Sequence, residues 1–252
     1  GDTILLPDVG AYEFNPENVE KLTAGFTVMP EEFNTAQEVV FTATVHGTNL
    51  TDLVYHWDVD GDSVYDVTGA DKAVATHLYT IPGSYAVTLL VENGSGETSL
   101  VTRLNAVRYV PPQTYVSPAG SHTFPYYSWA SAATNVQEAV DAVMAGGSVW
   151  VTNGIYRVSE NISLMKAVAV TGVEGAEKTL LTRTSGANTR IVYVDHANAA
   201  LDGFTLYGGS RTLTAGEASY SGGGLYIVKG FVNGCIISNN VAYGSGNALG
   251  QG

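Results

Sequence analysis

The sequence has a single cysteine, Cys235, among its 252 residues. One cysteine cannot form an internal disulfide or a cysteine metal cluster, so we interpret it as a small apolar side chain that faces the protein interior. Basic residues are also scarce, because 11 lysines and arginines stand against 24 acidic residues. The resulting net charge of -13 repels phosphate backbones, and we therefore expect no binding of nucleic acid.

Long hydrophobic runs are missing as well. Every apolar run is far shorter than the roughly 20 residues that span a bilayer, and no charged-then-apolar signal opens the chain. We therefore predict no membrane span. Apolar residues still make up 45% of the chain and charged residues only 14%, with 29 glycines, which is typical of an ordered, turn-rich β protein.

A tetrad of apolar, polar, glycine and apolar residues recurs in the second half of the chain. It occupies residues 170–173 (VTGV), 201–204 (LDGF) and 232–235 (VNGC), each 31 positions after the last. A fixed period of this length indicates a solenoid, and the flanking β-prone residues predict one turn of a wide β-coil per repeat. Such a coil depends on neighbouring coils to bury its apolar rows.

Residues 22–110 follow a different pattern of short alternating strands. The odd positions of 39–45 are all apolar, and the same two-residue period recurs in residues 85–91. Turn-forming segments separate these runs, which predicts an antiparallel sandwich. Residues 55–62 (YHWDVDGD), 77–79 (HLY) and 82–89 (PGSYAVTL) resemble the PKD domain. The resemblance implies an immunoglobulin-like sandwich that is a non-catalytic spacer or adhesive module of surface and secreted proteins.

One amphipathic helix is predicted after the linker prolines 111–112. Thr134 and Gln137 have capping-box spacing, and the glycine pair 146–147 is expected to end the helix. Its apolar stripe consists of Val136, Ala139, Val140 and Val143. We expect this helix to cap the first coil and protect its edge from pairing with other chains.

Residues 129–133, the helix and residues 148–156 and 201–206 together resemble the start of a right-handed parallel β-helix of the pectin-lyase-like type. The predicted fold class is therefore all-β, an immunoglobulin-like β-sandwich plus a right-handed parallel β-helix with one capping α-helix. The predicted domains are an N-terminal extended segment at 1–21, the PKD-like sandwich at 22–110, and the cap helix with the first coils at 111–252.

Residues 7–14 (PDVGAYEF) resemble the segment that closes such bacterial β-helices, yet here they come first. Two interpretations follow. Either the chain is cut from a longer protein with further domains, or the N-terminal segment of one copy completes the unfinished helix of the next by strand addition, which generates filaments. The residues expected to make that contact are Ile4, Leu5, Leu6, Val9, Tyr12 and Phe14.

Four aspartates form the sharpest chemical cluster. They are Asp58, Asp60, Asp62 and Asp66. Their carboxylates are candidate calcium ligands, although the spacing is not that of an EF-hand, because Gly61 falls at the fourth position instead of the sixth. The alternative is that these carboxylates accept hydrogen bonds from backbone amides in a tight turn. No other cofactor is predicted.

The sequence gives little support for catalysis, because the acidic residues from Ser148 onward are scattered without a paired arrangement. Tyr126, Tyr127 and Trp129 are a candidate platform for a sugar ring, or they pack beneath the cap helix. We predict a non-catalytic structural or adhesive protein, extracellular or on a cell surface, whose partners are further copies of itself, further domains of a longer chain, or a polysaccharide. The alternative is the front of a β-helix polysaccharide lyase or hydrolase, or a carbohydrate-binding accessory protein.

Glycosylation motifs are also present. Asn49, Asn93 and Asn161 each begin an Asn-X-Ser/Thr acceptor sequence. Only a secretory host with the matching machinery would use them.

Overall fold

A computed structural model describes residues 20–212, 222–243 and 249–250. The regular secondary structure of this part of the chain is almost entirely β-strand, with one short helix, which confirms the all-β fold class. The chain divides into two compact units. One consists of Val39–His77 and Tyr85–Val107 with the described residues up to Pro30; the other consists of Glu31–Glu38, Leu78–Ser84 and the described residues from Arg108 onward. The domain boundaries predicted from the sequence stay a prediction.

The first eight strands form two sheets. They are β1 (Thr23–Met29), β2 (Glu32–Phe33), β3 (Gln37–His46), β4 (Val54–Asp58), β5 (Val67–Gly69), β6 (Val74–Tyr79), β7 (Gly83–Glu92) and β8 (Thr98–Tyr109). One sheet has the order β1-β3-β6 and the other the order β2-β8-β7-β4-β5. The predicted two-residue period is confirmed in β3 and β7, where alternate side chains are buried and their neighbours are more exposed.

Trp57 lies at the centre of the core between these sheets. Its side chain is fully buried, and its ring lies 5.5 Å from that of Phe26 and 5.8 Å from that of Phe41, between ring centroids. The indole Nε1 donates a hydrogen bond to the carbonyl oxygen of Lys72 at 2.8 Å. The one polar atom of the ring is therefore satisfied while its apolar surface is removed from water.

The turn between β7 and β8 is built around Asn93, which is only 2% exposed. Its Oδ1 accepts hydrogen bonds from the backbone N–H groups of Ser95 and Glu97 and from the Ser95 hydroxyl. Its Nδ2 donates to the carbonyl oxygen of Asn49 at 3.0 Å. The side chain amide thus replaces backbone partners that the turn itself lacks.

The second half of the chain forms parallel stacks. Its elements are β9 (Gln113–Val116), α1 (Val136–Ala142), β10 (Gly147–Val151), β11 (Gly154–Val158), β12 (Ile162–Leu164), β13 (Val168–Gly172), β14 (Thr179–Arg183), β15 (Val192–Asp202), β16 (Thr205–Tyr207), β17 (Ser210–Thr212), β18 (Leu225–Asn233), β19 (Ile236–Ser238), β20 (Val241–Tyr243) and β21 (Leu249–Gly250). One sheet has the order β12-β15-β13-β10-β9, with β18 paired to β15, and another the order β11-β14-β16-β19. All pairs in these two sheets are parallel.

The 31-residue repeat sets the register of these stacks. Val170 pairs with Leu201, and Leu201 pairs with Val232, so equivalent tetrad positions lie side by side. Gly172 approaches the next strand so closely that an added Cβ would lie 2.4 Å from the carbonyl oxygen of Gly203. An added Cβ at Gly203 would likewise lie 2.8 Å from the carbonyl oxygen of Gly172, so backbone contact between neighbouring layers explains the glycine at these two positions. Cys235 is half-buried and packs against the apolar core, which agrees with its interpretation as a small apolar side chain.

The structure corrects the predicted ends of the helix. The N-cap is Asn135, whose side chain accepts a hydrogen bond from the N–H of Gln137 at 2.8 Å, so the capping box of Thr134 and Gln137 is wrong. Asn135 is itself a strong N-cap residue, and Thr134 instead donates its N–H to His122 Nδ1. The helix ends at Ala142, before the glycine pair. The predicted apolar stripe is fully buried and joins the core.

Side-chain hydrogen bonds hold α1 against the stack. The Thr114 hydroxyl donates to the carbonyl oxygen of Ala139 at 2.9 Å, and the N–H of Ser163 donates to Gln137 Oε1 at 2.7 Å. The Lys166 ammonium donates to the carbonyl oxygens of Asp141 and Val143, which the helix end leaves without intrahelical partners. Burial lowers the pKa of Lys166. The helix contacts β9, β10 and β12, as expected for a cap over the first strands.

Candidate functional site

The aspartate loop follows directly after β4 and leads into β5. Both carboxylate oxygens of Asp58 accept backbone hydrogen bonds, from Gly61 at 2.7 Å and from Ser63 at 3.0 Å. Asp66 Oδ2 accepts from the N–H of Val59 at 2.8 Å. Asp58 is only 4% exposed, so these bonds satisfy a buried charge. The loop therefore shows the backbone-bonded turn that the sequence offered as the alternative to calcium.

The same loop gathers three of the four predicted ligands. Asp58, Asp60 and Asp66 each have one oxygen within 4.8 Å of the others, whereas Asp62 is not part of this group. Asp62 Oδ1 instead accepts from the N–H of Val64. Partial desolvation raises the pKa of Asp60. A hydrogen bond from the backbone of Asp62 opposes this rise, whereas the neighbouring carboxylates add to it. Calcium binding by this loop stays a hypothesis, the alternative to the backbone-bonded turn.

We expect calcium to leave the melting temperature unchanged, because Asp58 and Asp66 already use carboxylate oxygens on backbone donors. The measurement is a thermal melt in roughly 5 mM calcium chloride, above the ~1 mM dissociation constants of weak extracellular calcium modules. Magnesium chloride at the same concentration is the control. A rise in calcium alone that Asp60→Asn abolishes would show instead that the loop is a calcium site.

The three aromatic residues of the predicted sugar platform do not share one environment. Tyr126 is 7% exposed, and its hydroxyl donates to Glu138 Oε2 at 3.0 Å. Tyr127 and Trp129 are 40% and 43% exposed, and the Trp129 ring stands edge-on to Tyr115 with centroids 4.6 Å apart. The platform available to a ligand is therefore reduced to Tyr127 and Trp129, and its binding of sugar stays a prediction.

Glu138 joins two side chains that the sequence did not connect. Its Oε2 lies 2.9 Å from His122 Nε2 and accepts the Tyr126 hydroxyl. Because His122 Nδ1 accepts the N–H of Thr134, the Nε2 atom carries the proton toward Glu138. Desolvation raises the pKa of Tyr126, and Glu138 adds to that rise. This cluster fastens the segment before α1 to the first helical turn, and no sequence spacing indicated it.

The last described layer of the parallel stack, formed by β18 and β19, presents apolar side chains to solvent. Leu206 in β16 is fully buried, yet its paired residue in β19, Ile237, is 49% exposed. Val194 in β15 is likewise fully buried, while its partner Ile227 in β18 is 41% exposed. Within residues 20–212, 222–243 and 249–250, no strand pairs with the free sides of β18 and β19. The same interior rows are thus covered in one layer and open in the next.

The sequence predicted that a second copy contacts this end of the stack through its N-terminal segment. Ile4, Leu5, Leu6, Val9, Tyr12 and Phe14 lie outside the described residues. In the part of the chain that is described, no helix is both long and apolar enough to cross a membrane.

Comparison with known proteins addresses the first half of the chain. No curated protein matches the sequence. The PKD resemblance predicted from the residues around Trp57 is confirmed, and with it the immunoglobulin-like sandwich, which is a non-catalytic module typical of extracellular structural or adhesive proteins. The right-handed parallel β-helix stays a prediction. Residues 25–106 match the family described as the PKD domain.

Proposed function

We propose that this chain is a non-catalytic extracellular structural or adhesive protein whose copies join head to tail at the open end of a right-handed parallel β-helix. The observation that carries the proposal is the contrast between buried Leu206 and exposed Ile237 in paired strands. An interior row that ends in solvent exposes both apolar surface and unpaired strand edges, and each favours the addition of another strand.

The parallel β-helix is supported by the register of the repeat. Four successive strands, β10, β13, β15 and β18, pair in parallel, and the same order of layers recurs from β11 through β14 and β16 to β19. Each layer buries its apolar row against the next one, which is how solenoids obtain their stability. An apolar row that is exposed in this way is stabilised by a cover of similar chemistry.

The occupant that we infer is the N-terminal segment of a second copy. Residues 4–14 are rich in apolar and aromatic side chains, and residues 7–14 resemble a β-helix closing segment. Strand addition would supply backbone hydrogen bonds to β18 and β19 while the apolar side chains cover the open rows. Donor and acceptor surfaces at different places on one chain make a head-to-tail contact, and the product is a filament when the rotation between successive copies does not close a ring.

Ile236 and Ile237 provide a matched pair for testing this surface. They are 45% and 49% exposed, but neighbouring residues of a strand point to opposite faces. We expect Ile237→Asp to abolish filaments, because a carboxylate on the interior row would have to be buried. Deletion of residues 1–14 should abolish them as well, because it removes the segment that is donated. Ile236→Asp, on the outer face, should assemble as the unchanged protein does.

The measurements are sedimentation velocity over a range of concentrations and negative-stain electron microscopy, with a thermal melt of each variant to confirm folding. Filaments that persist in Ile237→Asp would refute the acceptor surface. Filaments that persist after the deletion would refute donation by the N-terminal segment. A protein that stays monomeric in every form would refute assembly.

A carbohydrate-binding accessory protein is the second candidate, favoured by the exposure of Tyr127 and Trp129. Flat aromatic faces at a surface suit the apolar faces of sugar rings. The sedimentation experiment separates the two functions. The structural protein is expected to form larger particles as its concentration rises, whereas a carbohydrate-binding accessory protein has no need to self-associate.

A further inference from the structure

A cavity of about 490 Å³ lies beside the cap helix α1. All of its lining residues belong to one compact unit, which consists of Glu31–Glu38, Leu78–Ser84 and the described residues from Arg108 onward. Its volume falls within the roughly 300–1,000 Å³ of ordinary ligand pockets. The cavity is therefore large enough to enclose a small molecule.

Two aromatic side chains form an apolar part of the lining. Tyr126 is 7% exposed, and the hydrogen bond from its hydroxyl to Glu138 fixes its ring. Phe124 is 60% exposed, and its ring stands edge-on to that of Tyr126 with centroids 5.9 Å apart. The buried ring thus supports the exposed one, which offers an apolar face to a ligand.

The charged residues of the lining carry both signs. The acidic ones are Glu32, Glu138 and Asp141, and the basic ones are Arg108 and Lys166. Arg108 Nη1 lies 2.8 Å from Glu32 Oε2, and the Lys166 ammonium donates to backbone carbonyl oxygens at the end of α1. A ligand with a net charge of either sign would meet a like charge here, so the lining favours a neutral ligand.

The same residues keep hydrogen-bonding capacity for a ligand. Both contacts of Glu138 fall on Oε2, and Asp141 accepts from Gln137 Nε2 through Oδ1. Among the described residues, none donates a hydrogen bond to Glu138 Oε1 or to Asp141 Oδ2. Carboxylates only accept hydrogen bonds and a guanidinium only donates them, whereas a hydroxyl group does both. A ligand that carries several hydroxyls and one apolar face therefore matches the whole lining.

We propose that this cavity binds a neutral sugar, with the apolar face of the ring on Phe124 and its hydroxyls on the carboxylates of Glu138 and Asp141. The cavity is separate from the exposed platform, because neither Tyr127 nor Trp129 lines it. It also contains no residue of β18 or β19, the strands of the assembly surface. The site thus assigns the chain a ligand that assembly does not require.

The test is binding of the fluorescently labelled full chain to a printed array of neutral oligosaccharides of glucose, galactose, mannose and N-acetylglucosamine. Uronate oligosaccharides of the same lengths stand on the same slide. We expect at least one neutral series to bind more strongly than every uronate, because a uronate brings a further negative charge to three carboxylates. Binding of no sugar, or binding of the uronates that equals or exceeds that of the neutral series, would overturn the proposal.

Matched variants locate the site, with the strongest neutral sugar titrated by calorimetry. Asp141→Asn should weaken binding about tenfold, because it removes a charged acceptor. Phe124→Ala should weaken it about fivefold through loss of the aromatic face. Asp71→Asn and Tyr65→Ala are the controls, since both residues are exposed and belong to the other unit, and they should leave the affinity unchanged.

Trp129→Ala distinguishes the cavity from the exposed platform. A loss of affinity in this variant, with unchanged affinity in folded Phe124→Ala and Asp141→Asn proteins, would overturn the cavity as the sugar site. A thermal melt of each variant confirms folding. Sugar binding and sedimentation are measured separately, so a failure of this proposal is distinguishable from a failure of assembly.

Discussion

Replacing Trp57 with alanine is expected to lower the free energy of unfolding of the sandwich by about 3–5 kcal/mol, the usual cost of truncating a fully buried aromatic residue. The change removes the ring contacts to Phe26 and Phe41 and leaves the carbonyl oxygen of Lys72 without its indole donor. For a domain of this size the melting temperature should fall by at least about 12 °C.

Differential scanning calorimetry of the full chain measures this loss. Leu104→Ala is the control, since Leu104 is 78% exposed and its truncation should change stability by less than about 0.5 kcal/mol. If Trp57→Ala melted within a degree or two of that control, the ring would not be the centre of the sandwich core.

Replacing Gly172 with alanine should destabilise the parallel stack by about 3 kcal/mol, the upper end of the usual cost of overpacking. The new Cβ would lie 2.4 Å from the carbonyl oxygen of Gly203 and 3.1 Å from Thr179 Oγ1. The first contact is with backbone, which cannot turn aside as a flexible side chain does. The neighbouring layers must then move apart, and the loss extends to the pairs that they share.

Gly175 provides a contrasting control on the same unit. It has a φ of +81° and nothing within 4 Å of an added Cβ, so Gly175→Ala carries only the conformational cost of about 1–2 kcal/mol. Calorimetry and limited proteolysis compare the two variants. A smaller loss for Gly172→Ala than for Gly175→Ala would contradict the close approach of layers as the reason for the repeated glycine.

The features that the sequence predicted depend on local periodicity. Alternation in 39–45 and 85–91 indicated one buried face in each strand, and the apolar stripe of the helix indicated its packed side. The 31-residue tetrad indicated which residues would be neighbours in the stack, because a coil of constant length places equivalent positions side by side. In each case a periodic pattern in the sequence determines which side chains become buried.

The features that were not predicted depend on local departures from such patterns. Tyr193 pairs with Tyr226, an offset of 33 positions, whereas Leu201 pairs with Val232 at 31, because the register shifts within β15. A constant period would not align the two tyrosines, so the stacking of their rings was not apparent in the sequence. The helix start moved by one residue because Asn135 and Thr134 are both good caps, and tertiary contacts with His122 decided between them.

The side chain of Asn93 has a practical consequence for producing the protein. Its Nδ2 is the atom to which a eukaryotic secretory pathway would attach an oligosaccharide, and in the folded turn that atom is enclosed and donates to the carbonyl oxygen of Asn49. An oligosaccharide added during translocation would therefore prevent the hairpin between β7 and β8 from forming. Bacterial expression leaves Asn93 unmodified and gives the chain access to its native turn, whereas Ser95→Ala would remove a hydroxyl that donates to Asn93 Oδ1.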